Sequence, residues 1–180
     1  TINAKQDESI SVTCDEVLKR GNYTINDASN VSIAHIRIVY KDYHLQELIL
    51  NLLYSTTNVF CYSIDKKATK IFKEQMRNLS SCFTNVYVDP TEYDVNSSEK
   101  NTNQAHLSCM KLLKDKYHWD YVTTMQNHDI PIRTNAEMIE IMSILNGSNS
   151  IVCLPPIRNR IPRFKDWTFK ALNLFKSLLC

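Results

Sequence analysis

Two aspartates stand where an α/β protein keeps its polar chemistry. Asp65 closes the run Asn58 to Ile64 (NVFCYSI), and Asp129 lies within the stretch Trp119-Asp-Tyr-Val-Thr-Thr-Met-Gln-Asn-His-Asp-Ile-Pro-Ile-Arg-Thr-Asn135. The residues before each acid are rich in β-branched and aromatic types, which puts each acid at the carboxyl end of a strand. In open α/β sheets, ligands bind in the crevice outside those ends, and a carboxylate there can hold sugar or ribose hydroxyls. Two such acids in one parallel sheet would face the same crevice. An aspartate before a turn can also bond its own backbone, and for Asp129 both readings stay open at this point.

Other chemistries find less support. The chain has no Asp-x-Asp pair of the kind by which sugar-nucleotide enzymes hold a divalent cation, the nearest being Glu92-Tyr93-Asp94, so no obligatory metal is expected. His35, His44, His106, His118 and His128 are scattered and form no His-x-x-x-His zinc motif. A Gly-x-Ser-x-Gly elbow is missing, and with only Gly21 and Gly147 there is no glycine-rich phosphate loop. Arg158, Arg160, Arg163 and Lys165 form a basic stretch that reads as a solvated loop.

The elements that must position these acids alternate along the chain. Ile33 to Tyr40 (IAHIRIVY) alternates apolar and polar residues like a strand, and Leu45, Leu48, Ile49, Leu52 and Leu53 then follow at helical spacing. Asn58 to Ile64 is a second strand, followed by a helix carrying Ile71, Phe72, Met76 and Leu79 on one face. Phe83 to Val88 reads as a third strand, Thr102 to Lys114 as a helix, and Tyr121 to Met125 as a fourth strand. Thr134 with Glu137 three residues on forms a capping box for a helix over Ala136 to Leu145, which Asn146-Gly147 stops. A short strand is expected at Ile151 to Leu154. This order predicts an α/β protein with a mostly parallel sheet and helices on both faces, because parallel neighbours need crossover connections. A last amphipathic helix, Trp167 to Leu179, runs into Cys180 without a polar tail and suggests a domain truncated at its C-terminus.

Composition bounds the setting. With 180 residues, 43% hydrophobic, 22% charged and a net charge of +2, the chain is an ordinary globular sequence with no field that argues for nucleic acid. No apolar run approaches the roughly 18 residues that span a bilayer. The six cysteines include no Cys-x-x-Cys pair, which favours disulfides over zinc. Acceptor sequons occur at Asn22, Asn30, Asn78, Asn96 and Asn146. Cysteines and sequons together point to the secretory pathway.

The ordered motifs Cys14-Asp-Glu-Val-Leu-Lys-Arg-Gly, Phe60-Cys-Tyr-Ser-Ile-Asp65, Ser81-Cys-Phe-Thr-Asn-Val-Tyr-Val88, Ala105-His-Leu-Ser-Cys-Met-Lys111 and Trp119 through Asn135 resemble the core-2/I-branching β-1,6-N-acetylglucosaminyltransferase family, in a divergent, nematode-like form. The resemblance covers about residues 14 to 147. It implies a Golgi type II membrane enzyme with its anchor upstream of Thr1, a GT-A-like fold, and metal-independent transfer of GlcNAc from UDP-GlcNAc to an O-glycan acceptor on a glycoprotein. The chain would then comprise a lumenal segment 1–32, carrying Cys14, and an incomplete nucleotide-sugar-binding domain 33–180. The nucleotide side would hold Ile38 at the uracil pocket, Asp65, Ser97 and Asp129. Disulfides Cys14 to Cys82 and Cys61 to Cys109 carry over, while Cys153 and Cys180 have no counterpart.

The departures are also informative. The family's Tyr-Ala-Ser-Trp-x-Arg segment aligns with Ser97-Ser-Glu-Lys-Asn-Thr102, which lacks its aromatic residues and its arginine. The resemblance places the catalytic glutamate, the general base, beyond Cys180, so no residue here takes that role. The alternative expectation is a catalytically inactive paralogue of the secretory pathway, anchored or secreted, acting as a binding or scaffold protein.

Overall fold

A computed structural model of the chain describes residues 7–21, 23, 31–96, 100–149, 166, 168 and 171. The chain divides into two compact units, Thr1–Ser148 and Asn149–Cys180. The expected strand at Ile151 to Leu154, the basic stretch 158–165, the final helix apart from Thr168 and Ala171, Ser97, Asn22, Asn30, Cys153 and Cys180 lie outside the described residues.

The first unit contains α1 (Cys14–Arg20), β1 (Ile33–Val39), α2 (Tyr43–Leu53), β2 (Val59–Ile64), α3 (Lys70–Ser81), β3 (Val86–Val88), α4 (Thr102–Lys114), β4 (Tyr121–Met125) and α5 (Asn135–Leu145). The strands form one sheet in the order β3-β2-β1-β4, with every pairing parallel. β1 is thus central, in register with β2 through Ile36 and Cys61 and with β4 through Ile36 and Thr124.

Both faces of the sheet are covered, as an all-parallel sheet requires. On one face, Phe60, Tyr62 and Ile64 of β2 pack with Leu50 and Leu53 of α2 and with Phe72, Met76 and Leu79 of α3. On the other, Ala34, Ile36, Val59 and Cys61 meet Cys109 and Leu113 of α4. All seven residues of β1 are buried, including the two that make its sequence look half-polar, His35 and Arg37. β3 is shorter than its apolar pattern, because Phe83 and Thr84 belong to the turn after α3.

The Cys14 segment belongs to the same unit as the sheet. Cys14 is joined to Cys82, the residue that ends α3, and Cys61 in the central sheet is joined to Cys109 of α4. Arg20 also anchors α1 through two hydrogen bonds to the Glu47 carboxylate on α2, at 2.7 and 2.8 Å, and Tyr43 donates to the same carboxylate. Their hydrogen bond lifts the arginine above its ordinary pKa, and burial pushes the Tyr43 hydroxyl up as well. At α5 the capping box is complete. Thr134 Oγ1 accepts from Glu137 N, and the Glu137 carboxylate accepts from Thr134 N at 2.8 Å.

Candidate functional site

The strand order creates a topological switch point. From β1 the chain steps outward through β2 to β3 with α2 and α3 on one face, then returns across the other face through α4 to place β4 on β1's opposite side. Crossovers that leave in opposite directions open a crevice at the carboxyl ends of the two adjacent strands. A cavity of about 340 Å³ lies there.

Each wall comes from a different strand end. β1 supplies Ile38, an apolar surface, and Tyr40, whose ring is partly exposed just past the strand. The end of β2 supplies Asp65 and Lys67, the segment after β4 supplies Gln126 and Asn127, and the 95–96 loop supplies Val95 and Asn96. Asp65 is 6% exposed and tightly set. Its backbone N–H donates to Val39 O at 2.9 Å, and its Oδ1 accepts from Lys67 N at 2.8 Å, an Asx turn that aims the carboxylate at the cavity rim.

Lys67 extends across that rim. Its ammonium lies 3.5 Å from Asp65 Oδ2 and 2.5 Å from Asp94 Oδ1, and it donates to Val95 O. The Asp94 contact raises the lysine above its ordinary range, and the lysine in turn holds the Asp94 carboxyl below its own. Lys100 stands 3.6 Å from the other Asp94 oxygen. Two carboxylates and two ammoniums therefore balance at the mouth. Both members of the Lys67–Asp94 pair are exposed, so water and salt screen their attraction and an incoming anion can exchange places with Asp94 on the lysine.

The expected site residues separate into three groups. Ile38 and Asp65 share the cavity. Asp129 does not line it. Its carboxylate accepts from Gln126 N at 2.7 Å and its own N–H donates to Gln126 O, so its side chain closes the turn after β4 and touches the cavity wall through Gln126. Ser97 lies outside the described residues. Tyr40, Lys67, Gln126 and Asn127 escaped the sequence reading. Lys67 had a signal, because a residue two positions past a strand-end aspartate folds back over it in an Asx turn.

The turn after β4 rests on a buried cation. Arg37, 1% exposed, donates to the carbonyl oxygens of Gln126, Asn127 and Asp129 at 3.1–3.2 Å. No carboxylate among the described residues hydrogen-bonds to it. Burial lowers its pKa, but a guanidinium stays protonated, and hydrogen bonds from a charged donor contribute about 1.5–3 kcal/mol each against its desolvation. Asn127 completes the closure, its Oδ1 accepting from Tyr40 N at 2.7 Å and Lys41 N at 3.2 Å. Behind the sheet, His35 Nδ1 pairs with Thr123 Oγ1 at 2.8 Å and stacks on Phe60, and burial pushes its pKa down to about 3.

The remaining acids near the cavity are committed to cations. Glu92 pairs with Lys73 at 2.7 Å and with Arg77 at 2.9 Å, and Asp94 pairs with the two lysines. Among the described residues no group of three or more His, Cys, Asp or Glu converges. Of the acceptor sequons, Asn78, Asn96 and Asn146 are exposed, Asn96 at the cavity lip. No described helix is long and apolar enough to cross a membrane.

A parallel α/β sheet with a cavity at its switch point, apolar with a few polar groups, is the doubly wound class of fold. Within that class the chain belongs to the Core-2/I-Branching enzyme family, whose profile matches residues 33–177. It is 31% identical to beta-1,3-galactosyl-O-glycosyl-glycoprotein beta-1,6-N-acetylglucosaminyltransferase 3 of Rattus norvegicus over 152 residues, 84% of this chain and 35% of that protein. It is 29% identical to the corresponding transferase 4 of Danio rerio over 162 residues, 87% of this chain and 38% of the relative. Against the human transferase 3 the identity is 31% over 134 residues, 74% of this chain and 31% of the relative. The chain thus spans about a third of the length of these curated relatives.

Proposed function

We propose that this chain is the nucleotide-sugar-binding part of a β-1,6-N-acetylglucosaminyltransferase that takes GlcNAc from UDP-GlcNAc and delivers it to an O-glycan acceptor on a glycoprotein. The observation that carries the reading is the cavity at the switch point, with Ile38 and Asp65 in its lining. Its groups follow the chemistry of a nucleoside diphosphate. Ile38 and the Tyr40 ring offer surface for a base, the Asp65 carboxylate accepts from ribose hydroxyls, and the Lys67 ammonium meets a phosphate.

Binding proceeds without a divalent cation in this reading. The acids that would hold one, Glu92 and Asp94, already neutralise lysines and an arginine. Asp129 serves the donor side indirectly, by holding Gln126 in the cavity wall. The protein works in the lumen of the secretory pathway, in the Golgi and held to its membrane. Disulfides and exposed sequons fit that compartment.

Calorimetric titration of the protein with UDP and UDP-GlcNAc, in the presence of a chelator, tests this. Saturable binding that Asp65→Ala abolishes is expected. Failure of both ligands to bind, with or without added divalent cations, overturns the donor-site reading and leaves the binding or scaffold role to account for the fold.

A further inference from the structure

The cavity wall made by Gln126 and Asn127 belongs to an irregular segment between β4 and α5, where no strand ladder fixes the backbone. Three carbonyl oxygens of that segment, from Gln126, Asn127 and Asp129, converge on one point beneath it. Their dipoles repel one another unless a donor sits among them. Arg37, on the neighbouring central strand, is that donor. We infer that Arg37 is a positioning residue of the nucleotide cavity: by gathering these three carbonyls it sets the height of the Gln126–Asn127 wall above β1.

The geometry extends from the guanidinium to the cavity in two steps. With its carbonyl held by Arg37, and from α2 by Gln46 Nε2 at 3.1 Å, Asn127 presents its side-chain oxygen to Tyr40 N and Lys41 N. That contact ties the end of β1 to the segment after β4 across the switch point. Tyr40 and Asn127 both line the cavity, so a wall displaced from Arg37 would carry both out of place. Arg37 itself is 1% exposed and reaches the cavity through the backbone it holds, its Nη1 also meeting Met125 Sδ at 3.2 Å. A residue needed only to fill this face of β1 could be aliphatic, like Ile33 and Val39 on the same side of the strand. The two terminal nitrogens of a guanidinium can serve several acceptors at once, as they do here, which an aliphatic side chain cannot.

Hydrogen exchange and UDP titration on the intact chain, comparing the parent with Arg37→Met and Arg37→Lys, test the inference. The amides of Tyr40, Lys41, Gln126 and Asp129 report the closure directly. In Arg37→Met they are expected to lose roughly tenfold or more in protection while Phe60 and Cys61 amides in the β2 ladder keep theirs. UDP affinity is expected to fall roughly tenfold or more, because a displaced wall loses about one hydrogen bond's worth of contact with the ligand. Arg37→Lys is expected to fall between, since one ammonium cannot serve three carbonyls. Unchanged protection at the four amides overturns the inference, and so does a uniform loss across the β1–β2 ladder, which would mark Arg37 as a general stabiliser. If Arg37→Met does not fold, the same four-against-ladder comparison in Arg37→Lys decides. The binding arm rests on the proposed nucleotide reading, but the exchange arm does not. If the parent itself fails to bind UDP, that reading falls and the exchange pattern alone judges Arg37.

Discussion

The Lys67 ammonium lies 3.5 Å from the Asp65 carboxylate and 2.5 Å from that of Asp94, so one flexible cation joins the buried acid of the cavity to the exposed acid at its mouth. The two acids are not equivalent partners. Asp65 is held by backbone contacts on both sides, whereas Asp94 is exposed and replaceable. Lys67 can therefore turn to a ligand phosphate without disturbing Asp65.

Asp65→Asn keeps an oxygen for the Lys67 amide but loses the charge that, in the proposed complex, accepts from the ribose hydroxyls. UDP-GlcNAc affinity should fall roughly 10- to 100-fold, with an unfolding free energy within about 1 kcal/mol of the parent, because hydrogen bonds to charged groups exceed neutral ones by about that margin. Calorimetry paired with urea unfolding checks both halves. Equal affinity in the two proteins would remove Asp65 from the binding site.

His35 predicts an acid-sensitive fold. Its folded pKa is pushed down to about 3 by burial, while the unfolded chain titrates near 6.5. Between those values the unfolded state holds one more proton, so stability declines as pH falls through 6.5 and this contribution levels off near 3. The slope from this one group is about 1.4 kcal/mol per pH unit. Urea midpoints at pH 7 and pH 5 should separate by less in His35→Gln than in the parent. Parallel pH profiles would show that His35 titrates normally.

Each disulfide closes a long stretch, with sequence separations of 68 for Cys14–Cys82 and 48 for Cys61–Cys109. On the chain-entropy estimate each contributes about 4 kcal/mol. The second also lies in the core beneath α4, so replacing Cys61 and Cys109 with alanine should cost more than replacing Cys14 and Cys82. Thermal unfolding of the two double variants ranks them, and the reverse order would contradict this assignment of the core.

Thr134→Ala removes one half of a complete capping box at α5, and about 1 kcal/mol of stability should go with it. The same contacts hold the Glu137 carboxyl below its ordinary range, the Thr134 backbone N–H contributing most. That stability is present above the unfolded carboxylate pKa and is lost as pH falls through the depressed folded value. The alanine variant keeps that backbone N–H and loses only the hydroxyl, so it should retain most of the acid loss in this window while being less stable throughout, measured by helix content and urea midpoint together.

The alternation of strand and helix, the acids at strand ends and the start of α5 could be read along the chain, because each depends on residues within a turn or two of one another. The period-2 run of β1, the helical stripe of α3 and the Thr134–Glu137 pair are all local. The seven-residue α1 was not legible, because a helix that short has too few turns to show a period and is held by Cys82 and Glu47 from far along the chain. The strand order could not be read either. Which strand lies beside β1 depends on contacts about 88 residues apart, such as Ser32 with Asp120 and His35 with Thr123. That pairing brought Gln126 and Asn127 to the same cavity as Ile38 and Asp65, and left Asp129 to close its own turn. It also buried Arg37, which in the sequence is only a polar residue in an alternating strand. A charge can be read as buried or exposed only when the acceptors that compensate it are known, and here those acceptors are backbone carbonyls of another segment, which carry no residue-specific signature.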